Sequence, residues 1–143
     1  MYSDLKEQVK EHEGFVDTVY KDSLGFATIG YGHLVRTDDP YKEGQTYTKE
    51  VLSEQFDKDF DEAKNNALSL IGDIPLVFQA QCVIIEMVFQ LGIAGVGKFK
   101  AMWKALKEND YNTASLEMLD SRWAKQTPKR AEKLSAIMNS CKI

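Results

Sequence analysis

Apolar residues recur every three to five positions along much of the chain, a spacing that predicts amphipathic helices. The longest such pattern follows Thr48, a good helix-capping residue, and predicts one helix of about 23 residues that ends near Ile71. The stretch 76–91 is apolar on nearly every face and predicts a buried central helix. Gly92, Gly95 and Gly97 are expected to break that helix, and Thr127–Pro128 is expected to begin the last one.

The pattern differs near the start of the chain. Ser3 is predicted to cap a short helix that ends at Gly14, since glycine is favourable just beyond a helix end. From 17 to 34, β-branched and aromatic residues are interspersed with glycines. This segment therefore predicts a small antiparallel sheet.

These elements together predict an α+β fold with two lobes in a single domain of 143 residues. A small sheet lobe is expected at about 13–60 and a helical lobe at about 61–143, joined by the long helix. The first helix, 3–12, is expected to pack on the helical lobe. Ligand sites concentrate in clefts between lobes, so we expect a site between the two.

Charge is unevenly distributed along a chain whose net charge is −4. Residues 1–64 carry 8 Lys and Arg against 15 Asp and Glu, whereas residues 65–143 carry 10 against 7. The basic segment 121–143 could attract an anionic polymer such as peptidoglycan or nucleic acid, although a solvated helix surface is the simpler interpretation. Because no nucleic-acid motif, metal-ligand spacing or phosphate loop accompanies it, we expect no nucleic acid partner, metal or cofactor.

The cysteines and the N-terminal sequence indicate where the chain is made. Cys82 and Cys141 do not form a disulfide framework, and Cys82 lies in an apolar run where a buried thiol is expected. The N-terminal residues include no apolar signal segment, and the stretch 75–92 is too short and too polar to span a bilayer. We therefore expect a monomer made in a cytoplasm, with neither a signal peptide nor an integral membrane segment.

Two carboxyl groups are candidates for glycoside hydrolysis, a reaction that needs one protonated acid and one ionised base. Glu13 falls in the last turn of the first helix, where the negative end of the helix dipole is expected to raise its pKa. Asp22 falls between two predicted strands, where partial solvation keeps a carboxylate charged and able to activate water. Each also has a simpler interpretation, Glu13 as a surface residue before Gly14 and Asp22 as a turn former.

Three other polar residues could support or replace this pair. The hydroxyl of Thr28 could hold a water molecule, although a β-branched strand residue is the simpler interpretation. His33 could act as a base, but a structural ion pair with an acid of the long helix is the better interpretation, because no nucleophile pattern accompanies it. The acids available on that helix are Asp57, Asp59 and Asp61. Glu86 lies in the apolar helix and needs a partner that the sequence does not identify.

Taken together, these motifs resemble the active-site region of the T-even phage lysozymes, which belong to glycoside hydrolase family 24. The matching residues near the candidate site are Glu13–Gly14, Tyr20–Lys21–Asp22, Gly25 and the run from Thr28 to Leu34. Later matching segments are Thr48–Lys49 with Asp59, 87–92 with 95–96 and Phe99, and 121–123 with 126–128 and 130–131. The resemblance runs from about Glu7 to Ala131, and motifs this long in one order are specific.

The resemblance implies a two-lobed lysozyme fold and hydrolysis of the β-1,4 bond between N-acetylmuramic acid and N-acetylglucosamine in peptidoglycan. It implies that Glu13 is the general acid and that Asp22 activates a water molecule positioned by Thr28. It also implies an ion pair between His33 and Asp59. The residues implied to line the saccharide groove are Gly30, Gly32, Leu34, Phe89, Gln90 and Arg122, the glycines by letting the strand lie close to the sugar.

Some features depart from the family pattern. Leu24 stands where the family has an acidic residue near the substrate, and the loop between Leu34 and Thr48 is shorter than in the family. The net charge is acidic, which predicts weaker attraction to an anionic cell wall. The expected role is that of an endolysin that acts on the cell wall in the periplasm, and without a signal peptide it would need a holin-type pore. The alternatives are a lytic transglycosylase on the same substrate and a catalytically silent wall-binding module.

Overall fold

A computed structural model describes residues 1–22 and 25–142. Its elements, in chain order, are α1 (Ser3–Glu13), β1 (Val16–Lys21), β2 (Ala27–Gly30), β3 (His33–Leu34), α2 (Lys49–Ile71), α3 (Phe78–Gly97), α4 (Lys100–Lys107), α5 (Tyr111–Leu119), α6 (Arg122–Gln126) and α7 (Pro128–Ser140). The predicted α+β class is confirmed. The chain divides into two compact units, 1–62 and 63–143, and the boundary between them falls inside α2.

Helix α1 ends where the sequence predicts and begins one residue away from the predicted position. Gly14 follows its last turn with φ at 73°, and the Gly14 N–H donates to the carbonyl of Lys10 over 2.9 Å. A positive φ suits glycine, because glycine has no Cβ to clash with the backbone. At the other end Tyr2 occupies the N-cap position and Ser3 is the first helical residue, so the prediction of Ser3 as the cap is wrong.

The three strands form one antiparallel sheet in the order β1-β2-β3. Tyr20 of β1 is paired with Thr28 of β2, and Ile29 of β2 is paired with His33 of β3. Directly paired residues of antiparallel strands project from the same face, so Tyr20 and Thr28 are side-by-side neighbours. The register of β1 is irregular between Val16 and Tyr20, as in a β-bulge.

Helix α2 begins as predicted, because the Thr48 hydroxyl accepts a hydrogen bond from the Val51 N–H over 3.2 Å. In the first unit, α1 packs on this helix and on the sheet. The Lys10 ammonium lies 5.2 Å from the ring centre of Phe56 and 5.3 Å from that of Tyr31. These cation–π contacts help to hold α1 in place within the first unit, and its packing on the helical lobe stays a prediction.

The second unit is built around α3, whose central residues are buried. Gly92 breaks this helix as predicted, with φ at 80° and ψ at 164°, but helical structure resumes and continues to Gly97. The predicted break at Gly95 is therefore wrong, whereas Gly97 is the last helical residue. By length and composition alone, this 20-residue helix could cross a membrane. These properties are weak evidence for a membrane span, because buried core helices share them. The fully buried Glu86, whose partner the sequence did not identify, accepts a hydrogen bond from the Nε of Arg130 on α7 over 2.9 Å.

Helices α6 and α7 are fixed to α3 through side-chain hydrogen bonds. The indole N–H of Trp123 donates to the Oε1 of Gln90 over 2.8 Å. Pro128 is the first residue of α7 as predicted, and Thr127 takes the N-cap position. The Thr127 hydroxyl donates to the Trp123 carbonyl over 3.1 Å, so this threonine stabilises the turn before α7 by a bond that the sequence did not predict.

Candidate active site

Glu13 is the last residue of α1, and its half-buried side chain lies against the turn between β2 and β3. A Cβ atom added at Gly32 would overlap the Glu13 Oε1 and would lie 3.0 Å from its Cδ. Gly32 also has φ at 74°, a conformation that side chains disfavour. Glycine at this position therefore leaves the space that the Glu13 carboxyl group occupies.

Asp22 closes the hairpin between β1 and β2. Its Oδ1 accepts a hydrogen bond from the Phe26 N–H over 2.9 Å, and its own N–H donates to the Phe26 carbonyl over 2.9 Å. The expectation that Asp22 forms a turn thus agrees with the geometry, and the turn fixes the position of the carboxylate. The predicted departure at Leu24 lies outside the described residues.

Thr28 shares a backbone partner with Asp22. Its hydroxyl donates to the Phe26 carbonyl over 3.0 Å, while the Phe26 N–H donates to the Asp22 carboxylate. Thr28 is only 4% exposed. Because its hydroxyl hydrogen is engaged, the Thr28 oxygen can serve a further partner only as an acceptor.

Tyr20 lies near both carboxyl groups, a position that the sequence did not indicate. Burial raises the pKa of the Tyr20 phenol, and the charges of Glu13 and Asp22 raise that pKa further. Both carboxylates must lie near one phenol to act in this way. Tyr20 is also paired with Thr28 on the neighbouring strand.

His33 contacts two carboxylates. Its Nδ1 lies 2.7 Å from the Asp59 Oδ2, and its Nε2 lies 2.7 Å from the Asp39 Oδ2. Burial alone would lower the pKa of His33, but the hydrogen bonds and charges of Asp59 and Asp39 outweigh it and raise the pKa above its usual value. The contact with Asp59 was expected from the sequence, whereas Asp39 was missed.

Asp39 is fixed in the first unit by a second donor. Its Oδ2 also accepts a hydrogen bond from the backbone N–H of Arg36 over 2.7 Å. Burial would raise the pKa of Asp39, but this bond and the contact with His33 lower it below its usual value. The trio of His33, Asp39 and Asp59 is called the histidine clamp below.

The residues predicted to bind saccharide fall in both units. Leu34 is 54% exposed in the first unit, as a surface contact requires. Gly30 is buried, and a Cβ there would lie 3.4 Å from Leu52 on α2. Its φ of 67° also favours glycine, and its approach to a sugar stays a prediction.

Of the predicted saccharide residues in the second unit, Gln90 already has protein partners at both ends of its amide. It accepts from the Trp123 indole and donates to the Thr127 hydroxyl over 3.4 Å. Phe89 is partly buried and Arg122 is exposed at the start of α6. Saccharide contacts of Phe89, Gln90 and Arg122 stay predictions.

The described residues include no group of three or more His, Cys, Asp and Glu side chains that could hold a metal ion. The candidate active site comprises two carboxyl groups near the phenol of Tyr20, which is paired with Thr28. A carboxyl pair of this kind defines the class of site that most glycoside hydrolases use.

The chain belongs to the phage lysozyme family, whose family model matches residues 10–139. "Probable T4-type lysozyme 2" of Dictyostelium discoideum is 29% identical over 163 aligned positions, which cover 98% of this chain and 96% of that protein. "Pre-baseplate central spike protein Gp5" of Enterobacteria phage T4 is 29% identical over 94% of this chain and 27% of its own length. "Peptidoglycan hydrolase gp36" of Pseudomonas phage phiKMV is 26% identical over 89% of this chain and 14% of its own length.

Proposed function

We propose that this protein is a muramidase that hydrolyses the β-1,4 bond between N-acetylmuramic acid and N-acetylglucosamine in peptidoglycan. The observation that carries the proposal is that Asp22 and Thr28 are both hydrogen-bonded to the backbone of Phe26, while Glu13 and Asp22 both lie close enough to Tyr20 for their charges to raise its pKa. Membership of the phage lysozyme family supports a glycoside hydrolase, and the printed name of the phiKMV relative supports peptidoglycan as the substrate.

Glu13 is proposed to be the general acid. It donates its proton to the glycosidic oxygen as the bond from that oxygen to the anomeric carbon breaks. The carboxyl group occupies space that a side chain at position 32 would fill, so Gly32 allows the acid to sit against the turn between β2 and β3.

Asp22 and Thr28 are proposed to hold the attacking water. The water donates one hydrogen to the Thr28 oxygen, which is available only as an acceptor, and the other to the Asp22 carboxylate. Its lone pair then attacks the anomeric carbon while Asp22 takes the proton. The result is a single displacement, which inverts the configuration at that carbon.

The biological setting is proposed on the same basis. An endolysin made in a cytoplasm would reach periplasmic peptidoglycan through a holin-type pore, and we expect it to act there as a monomer. Analytical ultracentrifugation tests the monomer, and lysis of cells with and without a co-expressed pore tests the route. A stable dimer, or lysis that needs no pore, would contradict the corresponding part.

The acid role is tested by clearing of purified peptidoglycan with wild type, Glu13→Gln and Glu11→Gln. Glu11 is an exposed acid on the same helix and serves as the matched control. We expect Glu13→Gln to fold normally and to lose about 10²–10⁴-fold in rate, as when a general acid is removed. The control should clear at the wild-type rate, and equal rates for all three proteins would remove Glu13 from the mechanism.

A further inference from the structure

A pocket of about 410 Å³ lies in the second unit, and none of its lining residues belongs to the candidate active site. It is called the lysine pocket here, and its lining residues are Leu70, Ile74, Gly97, Lys100, Trp103, Lys104 and Lys107. This volume falls within the range of small-molecule sites. The feature that needs explanation is its charge, because three cations surround it in a chain whose net charge is −4.

The three lysines follow one face of α4. Lys100, Lys104 and Lys107 are spaced four and three residues apart, so their side chains are neighbours on the helix surface. None of the three forms an ion pair with a carboxylate in the part of the chain that the structure describes. Like charges at this spacing repel one another, and a bound anion would relieve that repulsion.

The neighbouring pocket shows that the charge is particular to this site. It has a volume of about 330 Å³ and shares Lys100 with the lysine pocket. Its lining also includes Lys98, but Glu117 and Asp120 balance the two cations there. The lysine pocket has no carboxylate among its lining residues, so its potential favours an anion.

The floor of the lysine pocket is apolar. Leu70 and Ile74 contribute aliphatic side chains, and the indole of Trp103 is held in place because its N–H donates to the Val96 carbonyl over 3.0 Å. Gly97 keeps the space open, since a Cβ there would lie 3.7 Å from the Leu70 Cδ2 and a longer side chain would enter the pocket. A cationic rim above an apolar floor suits a ligand with an anionic head and an alkyl chain.

We propose that the lysine pocket binds an anionic amphiphile, a phosphate head group joined to a single alkyl chain. The lysines bind the phosphate, and the chain lies on Leu70, Ile74 and Trp103. The proposal is independent of the proposed function, because none of the lining residues belongs to the candidate active site. Glycan cleavage and amphiphile binding can therefore fail or succeed separately.

The test is isothermal titration calorimetry of the full chain with monomeric decyl phosphate. Inorganic phosphate and decyl maltoside serve as the head-only and chain-only ligands. We expect saturable binding of one decyl phosphate and at least about tenfold weaker binding of either partial ligand, because each makes only part of the contacts. Inorganic phosphate that binds as tightly as decyl phosphate would overturn the amphiphile assignment.

Two variants separate the charge from the cavity. The triple change Lys100→Gln, Lys104→Gln and Lys107→Gln removes the cations, and Gly97→Leu fills the cavity but keeps them. Each variant should bind decyl phosphate about tenfold more weakly than the wild type, or weaker still. Thermal unfolding shows whether each variant is folded. If both folded variants bind as the wild type does, the lysine pocket is not the site.

A charge-matched control completes the experiment. The triple change Lys125→Gln, Lys129→Gln and Lys133→Gln removes three exposed cations elsewhere in the second unit. We expect it to bind decyl phosphate with wild-type affinity. A loss equal to that of the pocket variant would mean that net charge alone attracts the ligand, and it would contradict a defined site.

Discussion

The histidine clamp makes the stability of this protein depend on pH in a way that one substitution should reveal. His33 is 5% exposed, and the side chains of Asp39 and Asp59 are 15% and 17% exposed. Two carboxylate acceptors can both be satisfied only when both ring nitrogens carry hydrogen, so the bonded form is the imidazolium ion. The substitution Asp39→Asn keeps the shape of the side chain and removes one of the two charges.

The magnitude follows from the bond that changes. A hydrogen bond to a charged group contributes about 1.5–3 kcal/mol, and the Asn oxygen can still accept a neutral-acceptor bond from His33. We therefore expect Asp39→Asn to lower the free energy of unfolding by about 1–2 kcal/mol where His33 is protonated.

The direction with pH follows from the raised pKa of His33. A histidine with a raised pKa stabilises the fold fully at a pH below its unfolded pKa of about 6.5, and this stabilisation is lost as the pH rises through its higher folded pKa. Asp39 has a lowered folded pKa, so its stabilising contribution is lost only as the pH falls through the folded pKa of Asp39. The clamp is therefore strongest in the mildly acidic range, above the folded pKa of Asp39 and below the unfolded pKa of His33.

The assay is urea unfolding of wild type and Asp39→Asn at a series of pH values that rises from about pH 5.5, which lies below the unfolded pKa of His33. The loss in free energy of unfolding caused by Asp39→Asn should shrink as His33 loses its proton, because the neutral ring has one N–H to share. Asp38→Asn, which changes an exposed neighbouring acid, is the control and should show no such trend. A loss that stays the same while His33 titrates, as followed by NMR of its ring protons, would show that the charge of His33 does not govern the clamp.

Two further substitutions test the packing around the candidate site and the core. Gly32→Ala should lower the free energy of unfolding by about 1–2 kcal/mol because of its positive φ, and it should also abolish clearing of peptidoglycan by displacing Glu13. Gly44 has φ at 83° and open space around its Cβ position, so Gly44→Ala should show the loss of stability alone. A Gly32→Ala protein that still clears peptidoglycan would contradict the contact between Gly32 and Glu13. Glu86→Gln should lower the free energy of unfolding by about 3–5 kcal/mol, because it removes the carboxylate from a buried ion pair with Arg130. A loss below about 1 kcal/mol in urea unfolding would show that this pair is not what stabilises α3 against α7.

Features that depend on local sequence were predictable. The start of α2 followed from the Thr48 cap, and the break in α3 followed from Gly92. Each of these depends on a few neighbouring residues, whose conformational preferences act wherever the segment lies. The misplacement of Ser3 by one position shows the limit, since Tyr2 before it adopts the N-cap conformation instead.

Features that depend on contacts between distant segments were not predictable. The partner of Glu86 lies 44 residues away, so no local pattern could identify Arg130. The role of Tyr20 depends on the strand register that pairs it with Thr28. A tyrosine two residues before a turn aspartate is a usable signal only when that register is known.

The central claim is that Glu13 and Asp22 act together in a single displacement with a water molecule between them. The most direct test is proton NMR of freshly cleaved peptidoglycan fragments, read before the sugar anomers equilibrate. We predict new reducing ends that appear first in the α configuration, since inversion converts the β-glycosidic bond into an α product. Products that begin in the β configuration, or that end in 1,6-anhydro sugar, would contradict the account.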